Sequence, residues 1–261
     1  FDSNNKSLVK YYDYGKKEYH LANSNREVIL LDLKGKESAN QISENAIDII
    51  KKSDPPVLVE RSRLEHIKPG NLEDDFDEIK DADWVIEAVV ERIDIKHKLY
   101  SQIDKVRSPN SIISSNTSTI PLSILTQEMS DTMKADFCIT HFFNPVRFMR
   151  LLEIVETPTV NKDKMSGLRD FCQNELGKGI VNCNDTPGFI GNRIGVYAMQ
   201  VAMYEALERG LPVEIADALF GRPLGIPKTG VFGLYDLIGI DLMKDVLASF
   251  KKELQENDPF M

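Results

Sequence analysis

The chain is poor in cysteine and histidine, and each shortage narrows what it can be. Three cysteines occur among 261 residues, Cys138, Cys172 and Cys183. They show neither a paired framework nor a metal spacing, so they read as reduced thiols of a cytosolic-type compartment and no metal site is expected. No apolar run approaches the roughly 18 residues a membrane-spanning helix needs. The polar start Phe1-Asp2-Ser3-Asn4-Asn5-Lys6 does not have the form of a signal peptide, and a soluble, cytoplasmic protein is expected. Runs of Lys or Arg long enough to track phosphates are absent too: 32 basic residues face 41 acidic ones, a net charge of −9, which argues against nucleic acid as a partner. Of the four histidines, His66 reads as part of a polar loop and His97 as a surface residue of a charged helix.

What is present is an alternation of apolar runs and helical stripes. Glu27-Val28-Ile29-Leu30-Leu31-Asp32-Leu33 has the composition of a strand buried on both faces of a parallel sheet. Residues 37–52 carry Ala39, Ile42, Ala46 and Ile49 at helical spacing, and Asp83-Trp84-Val85-Ile86-Glu87-Ala88-Val89-Val90 gives another buried strand. A helical stretch with Ile93, Lys96, Tyr100 and Ile103 on neighbouring turns follows, then a short strand at 111–114. The charged segment 54–82, with Pro55-Pro56 and Glu73-Asp74-Asp75, is expected to hold a short strand and helix at the periphery. Strands alternating with helices imply an α/β fold with a parallel sheet.

Ile180-Val181-Asn182-Cys183 reads as the last strand, after which the pattern turns helical. Pro187 suits a first helical position, Asp185 or Thr186 can cap it, and Gly210 suits its stop. Val196, Met199, Met203 and Leu207 form a stripe that reads as core or subunit interface. A Gly/Pro-rich passage at 221–233 leads to a final amphipathic helix with Leu242, Val246, Phe250 and Leu254. The expected division is a nucleotide-binding domain over 1–184 and a smaller helical domain over 185–261.

Residues 136–155 carry the chemistry. A strand-like run ends at His141, a turn at Asn144-Pro145 follows, and a second apolar run holds one acid, Glu153. Two strands joined by that turn can bring the acid back beside the imidazole, and a histidine held by a carboxylate is a general acid/base pair. An isolated His and Glu are more often a strand end and a solvated acid. Two further blocks overturn that reading: Ser114-Ser115-Asn116-Thr117-Ser118-Thr119, directly after Ile112-Ile113, and Asp185-Thr186-Pro187-Gly188-Phe189-Ile190-Gly191-Asn192-Arg193. With His141-Phe142-Phe143-Asn144-Pro145 they resemble, in order and rough spacing, the 3-hydroxyacyl-CoA dehydrogenase family, over residues 20–258.

The resemblance implies a Rossmann-like doubly wound, mostly parallel sheet followed by a smaller all-helical domain. It also implies an enzyme that uses NAD to oxidise 3-hydroxyacyl-CoA to 3-oxoacyl-CoA in fatty-acid β-oxidation. On that basis His141 is the general base oriented by Glu153, Ser118 and Asn192 hydrogen-bond the oxygens of an acyl-CoA thioester, and Glu91, Lys96, Ser118 and Asn144 line the nicotinamide-ribose end of the cofactor. Asp32 stands where a carboxylate accepts ribose hydroxyls and repels a 2′-phosphate, favouring NAD over NADP. Taken singly, Glu91 and Lys96 read as solvated helix charges, Asn144 as a turn former, Ser118 as a helix cap and Asn192 as a polar residue of a first helical turn. Some long members of that family continue into a hydratase module, so a longer chain is a further expectation, and the apolar stripes of the last third make a homodimer the expected assembly.

One departure is serious. No GxGxxG occurs, and before His20 stands Leu8-Val9-Lys10-Tyr11-Tyr12-Asp13-Tyr14-Gly15-Lys16-Lys17-Glu18-Tyr19, where Gly15 alone cannot supply a tight turn against a pyrophosphate. Either about 20 residues, a strand plus the loop, are omitted from the sequence, or the chain lacks them and Leu8–Tyr14 substitutes as a strand. The intact later motifs favour omission. The alternative function is a catalytically impaired binding or structural homologue that has lost the dinucleotide-binding loop. A dehydrogenase of the 3-hydroxyisobutyrate type, which leans on a lysine, is disfavoured by the His-Phe-Phe-Asn-Pro block.

Overall fold

Buried on both faces, Val28–Leu31 forms the kind of strand its composition demands, with every side chain almost inaccessible. The computed structural model describes residues 6–10, 26–54, 56–225, 228–258 and 260. Strands β1 (Lys6–Lys10), β2 (Val28–Asp32), β3 (Ile67–Asn71), β4 (Ala82–Glu87), β5 (Ile112–Ser115), β6 (Phe137–Phe142), β7 (Leu151–Glu156) and β8 (Gly179–Asn182) make one sheet in the order β3-β2-β1-β4-β5-β6-β7-β8. Every neighbouring pair is parallel except β6 and β7. The chain divides into two compact units, Phe1–Asp185 and Thr186–Met261.

The central slot, left without an assured strand by the sequence reading, is filled by β1, which pairs with β2 and β4. The substitute expected over Leu8–Tyr14 is thus shifted toward the N-terminus in its described part; Tyr11–Tyr14, Gly15 and His20 lie outside the described residues. β3 pairs with β2 and contains Pro69, a residue confined to sheet edges because it has no N–H to donate.

Helices α1 (Gln41–Lys52), α2 (Ile93–Val106), α3 (Leu122–Leu125), α4 (Asp131–Ala135) and α5 (Lys162–Asn174) complete the first unit. Alternation along β6 shows how both faces are covered. Phe137 packs edge-on to Tyr100 of α2, with centroids 5.2 Å apart. Its neighbour Cys138 faces the opposite way, into a core of Trp84, Ile86, Ala46, Ile47 and Ile50 from α1, and Met165, Leu168 and Cys172 from α5. This is the doubly wound arrangement.

The second unit holds α6 (Gly191–Glu208), α7 (Val213–Leu219), α8 (Phe232–Ile238) and α9 (Ile240–Glu253) around Val196, Met243 and Phe250. Of the expected stripe, Val196 and Met199 face this core while Leu207 is 72% exposed. The first helix starts at Gly191 rather than Pro187, because Gly188 and Phe189 adopt left-handed backbone with φ of 72° and 47°. A Cβ on Gly188 would also overlap the Phe250 ring. His97, expected at the surface, has a side chain only 11% exposed and bonds Ile124 O at 3.0 Å. Among the described residues no helix is long and apolar enough to cross a membrane, and no group of His, Cys, Asp and Glu is arranged to hold a metal.

The thiols differ in reactivity. Burial pushes Cys138 far above the usual thiol range and Cys172 up to about 12, whereas Cys183 is partly exposed. A thiol reagent at pH 8 is therefore expected to label one cysteine of the native chain, at position 183, and three after denaturation; labelling of Cys138 or Cys172 in the native protein would contradict this packing.

Candidate active site

The ends of β4, β5 and β6 lie at the C-terminal edge of the parallel strands, where open α/β sheets bind their ligands. Reversal of β7 sets His141 directly opposite Glu153 in the ladder. Side chains of facing residues share one side of the sheet, and a one-residue slip would oppose His141 with Leu152 or Ile154. The result is a 2.7 Å contact between His141 Nδ1 and Glu153 Oε2, with both residues buried. Phe143 covers the imidazole at a centroid separation of 4.5 Å.

Three residues that the sequence reading left without a role fix this pair. Asn116 Oδ1 accepts the Phe142 N–H at 3.0 Å, while the Asn116 N–H donates to Glu87 O at 2.7 Å, tying the ends of β4, β5 and β6 together. Cys183 Sγ lies 3.6 Å from Glu153 Oε1, on the far side of the carboxylate from the ring. Lys178, buried just before β8, donates to the carbonyls of Val146 and Met149, the latter at 2.9 Å, and so clasps the connection between β6 and β7. Exposed Asn144 sits on that connection, before Pro145.

A second constellation lies at the ends of β4 and β5. Glu87 is fully buried and takes four donors: Val89 N at 2.6 Å and Lys96 Nζ at 2.8 Å on Oε1, and Tyr100 Oη at 2.5 Å and Ser115 Oγ at 2.7 Å on Oε2. Lys96, expected to be at most a solvated charge or a cofactor contact, is inaccessible and spans Glu87 and Glu91, 3.1 Å from the latter. Desolvation alone would lower the Lys96 pKa; the two carboxylates outweigh it and raise it. Burial likewise opposes ionisation of Glu91, but Lys96 and hydrogen bonds from Thr117 and Ser118 prevail, so its pKa is lowered. Glu91 Oε1 accepts Thr117 Oγ1 at 2.6 Å and Ser118 N at 2.9 Å, and holds the turn that presents Ser118.

Asp32 ends β2, buried, with Oδ1 accepting Leu33 N at 2.6 Å. Beside it opens a cavity of about 560 Å³ with apolar walls from Leu33, Leu72, Val89, Val90, Ile95 and Leu99. Its size is that of small-molecule sites, and Glu73, Arg92, Lys98 and Gln102 add polar groups to its lining. Asp185, expected to cap α6, instead accepts the N–H groups of Leu122 at 2.5 Å and Ser123 at 2.8 Å. It thereby caps α3, whose own cap position is Pro121. Asn192, half-buried, stands in the first turn of α6 in the second unit.

A doubly wound sheet with an acid closing β2 and polar side chains gathered at its C-terminal edge is the arrangement of a dinucleotide-binding α/β protein. The family model for 3-hydroxyacyl-CoA dehydrogenase, NAD binding domain, matches residues 17–186, and that for the C-terminal domain of the same enzyme matches 188–260. The chain belongs to the 3-hydroxyacyl-CoA dehydrogenase family. It is 43% identical over 242 residues to the "Putative fatty acid oxidation complex trifunctional enzyme" of Rickettsia felis, covering 92% of this chain and 34% of that protein. The "Probable 3-hydroxyacyl-CoA dehydrogenase" of Deinococcus radiodurans is 36% identical over 92% of this chain and 70% of its own length. Among solved structures, (S)-3-hydroxybutyryl-CoA dehydrogenase PaaH1 from Ralstonia eutropha superposes with a TM-score of 0.74 at 28% identity, over 98% of this chain and 89% of that one. The chain thus spans about a third of the Rickettsia relative.

The site holds groups of the kind an NAD needs, the Asp32 carboxylate at the end of β2 and an adjoining cavity that begins at Leu33. The segment that would turn against the pyrophosphate, residues 11–25, lies outside the described residues.

Lys178 generates a pH dependence. Burial lowers its pKa from the usual 10.5 to about 8. With the folded value below the unfolded one, folding expels a proton between about pH 8 and 10.5, and this residue's contribution to stability rises across that window. The stability difference between the parent chain and Lys178→Met, followed by denaturant midpoint, should shift in favour of the parent as pH goes from 7.5 to 9.5; a constant difference would contradict the burial assigned to the amine.

Proposed function

We propose that this chain is a dehydrogenase module that oxidises 3-hydroxyacyl-CoA thioesters to 3-oxoacyl-CoA, as part of fatty-acid β-oxidation. The observation that carries the reading is the 2.7 Å His141–Glu153 pair at the sheet edge. Removing hydride from a carbinol carbon requires the hydroxyl proton to leave at nearly the same time, so a base with a pKa near neutrality is needed. Glu153 accepts the Nδ1 proton, which leaves Nε2 as the proton acceptor of the neutral ring, and it offsets the positive charge as the imidazolium forms. Ser118 and Asn192 hold the substrate oxygens, with the Ser118 turn set by Glu91. Asp32 holds the adenosine ribose, and Glu91 and Asn144 meet the nicotinamide ribose, with Lys96 fixing Glu91 from behind. When bound, NAD supplies the hydride acceptor.

Two statements about assembly accompany this reading. Ile194, Tyr197, Val201 and Tyr204 recur at helical spacing on α6 and are all exposed, a second apolar face that supports a homodimer. Relatives named as trifunctional enzymes support a longer natural chain that carries a hydratase module. A second reading, a binding or structural homologue, draws on a specific observation: residues 11–25 contain a single glycine, Gly15.

The assay is loss of NADH absorbance with acetoacetyl-CoA. His141→Gln should lower turnover by at least about a hundredfold, the low end for a general base, with NADH affinity largely kept; near-normal turnover would refute the assignment. Asn192→Ala should raise the KM for acyl-CoA and leave NADH affinity unchanged, whereas an equal loss of cofactor binding would place that side chain elsewhere.

A further inference from the structure

The constellation behind the Ser118 turn, with Glu87 and Lys96 buried and Glu91 reaching the surface, holds an odd number of charges. Glu87 and Glu91 contribute two negative charges and Lys96 one positive charge, with the ammonium 2.8 and 3.1 Å from the two carboxylates. Four donors converge on Glu87, and Glu91 takes Thr117 Oγ1 and Ser118 N besides the lysine, an acceptor-only pattern that suits ionised carboxylates. Tyr100 adds no charge, because burial first and Glu87 second raise its pKa well above the usual phenol value. The cluster therefore carries a net charge of −1.

Its place in the sheet gives that charge a direction. Glu87 pairs in register with Ser115, and Ser115 with Ile139, two residues before His141. Asn116 joins the Glu87 carbonyl to the backbone of Phe142. The cluster thus sits one to two strands from the His141–Glu153 pair, at the same edge. A dinucleotide whose adenosine lies at the end of β2 must extend its reactive ring across β4 and β5 to reach an alcohol beside His141. The ring carries a positive charge when oxidised and none when reduced.

We infer that the Glu87–Lys96–Glu91 cluster is a redox-state discriminator: its excess negative charge favours the oxidised cofactor over the reduced one, and Glu87 is the specificity-determining residue, acting through Lys96 and Glu91. The inference rests on the dehydrogenase reading above. At an effective dielectric of about 20 and a separation on the order of 10 Å, a unit charge shifts the ratio of two binding constants on the order of tenfold. Purely steric support of the Ser118 turn would affect both forms of the cofactor equally, because they share one shape at every contact except the ring.

The test is equilibrium binding of NAD⁺ and NADH, by calorimetry or intrinsic fluorescence, to the parent protein and to two variants that each remove one negative charge. Glu87→Gln is isosteric and retains acceptors for Lys96 and Val89 N; Glu91→Gln removes the same charge from a more exposed position and serves if the buried variant does not fold. The expected result is a rise of about tenfold in the ratio Kd(NAD⁺)/Kd(NADH) in either variant. A ratio unchanged within twofold in a folded variant, whether both affinities fall together or neither moves, overturns the inference and leaves the dehydrogenase reading standing. Failure of the parent protein to bind either form overturns both.

Discussion

A reversal of strand direction between β6 and β7 organises the sheet edge where His141 lies, and β8 continues it by running parallel to β7. In a sheet whose other pairings are parallel, antiparallel β7 returns from the Asn144-Pro145 turn and puts Glu153 opposite His141. A parallel neighbour would need a long crossover, and its side chain at that level would come from a distant part of the sequence. Here the acid and base are twelve positions apart, so the turn that joins them also fixes their distance. Much of the surrounding structure serves that hairpin: Lys178 clasps its turn, Asn116 pins the end of β6, and Cys183 backs the carboxylate.

Behind the hairpin, the sheet tolerates ionised groups that a packed interior ordinarily excludes. Burying a carboxylate costs several kcal/mol unless charge and hydrogen bonds offset it. Glu87 meets that requirement with four donors and Lys96 with two carboxylates. Apolar residues of similar volume would often be as stable, so stability alone does not account for a network of this kind. Its connections lead outward instead, through Glu91 to the backbone of Ser118 and through Asn116 to the strand that ends in His141.

The sequence made the parallel strands legible because burial on both faces leaves little choice of residue: Val28–Leu31 and Trp84–Ile86 are apolar throughout. The His141–Glu153 pair was legible too, as two apolar runs flanking a proline turn. The buried charges were not, although a signal existed. Glu87 follows directly on the buried run Trp84-Val85-Ile86, and Lys96 shares a helical stripe with Ile93, Tyr100 and Ile103, so each polar residue sat on an inward face and required the other. Positions set by distant partners escaped altogether. Asp185 looked like the cap of the helix that follows it, but caps α3 some sixty residues earlier. The start of α6 was misplaced because left-handed backbone at Phe189 has no signature in a non-glycine residue. The cavity beside Asp32 arises from four segments that meet only in the folded sheet.

In the proposed reaction Glu153 holds the Nδ1 proton of His141 and so presents Nε2 as the base. Nitrogen-15 NMR of histidine-labelled protein at neutral pH, with the resonance assigned by its loss in a His141 variant, reads that tautomer directly. A protonated Nδ1 and an unprotonated Nε2 are expected, with Glu153→Gln weakening the preference. A ring protonated at Nε2, with Nδ1 bare beside the carboxylate, would contradict it.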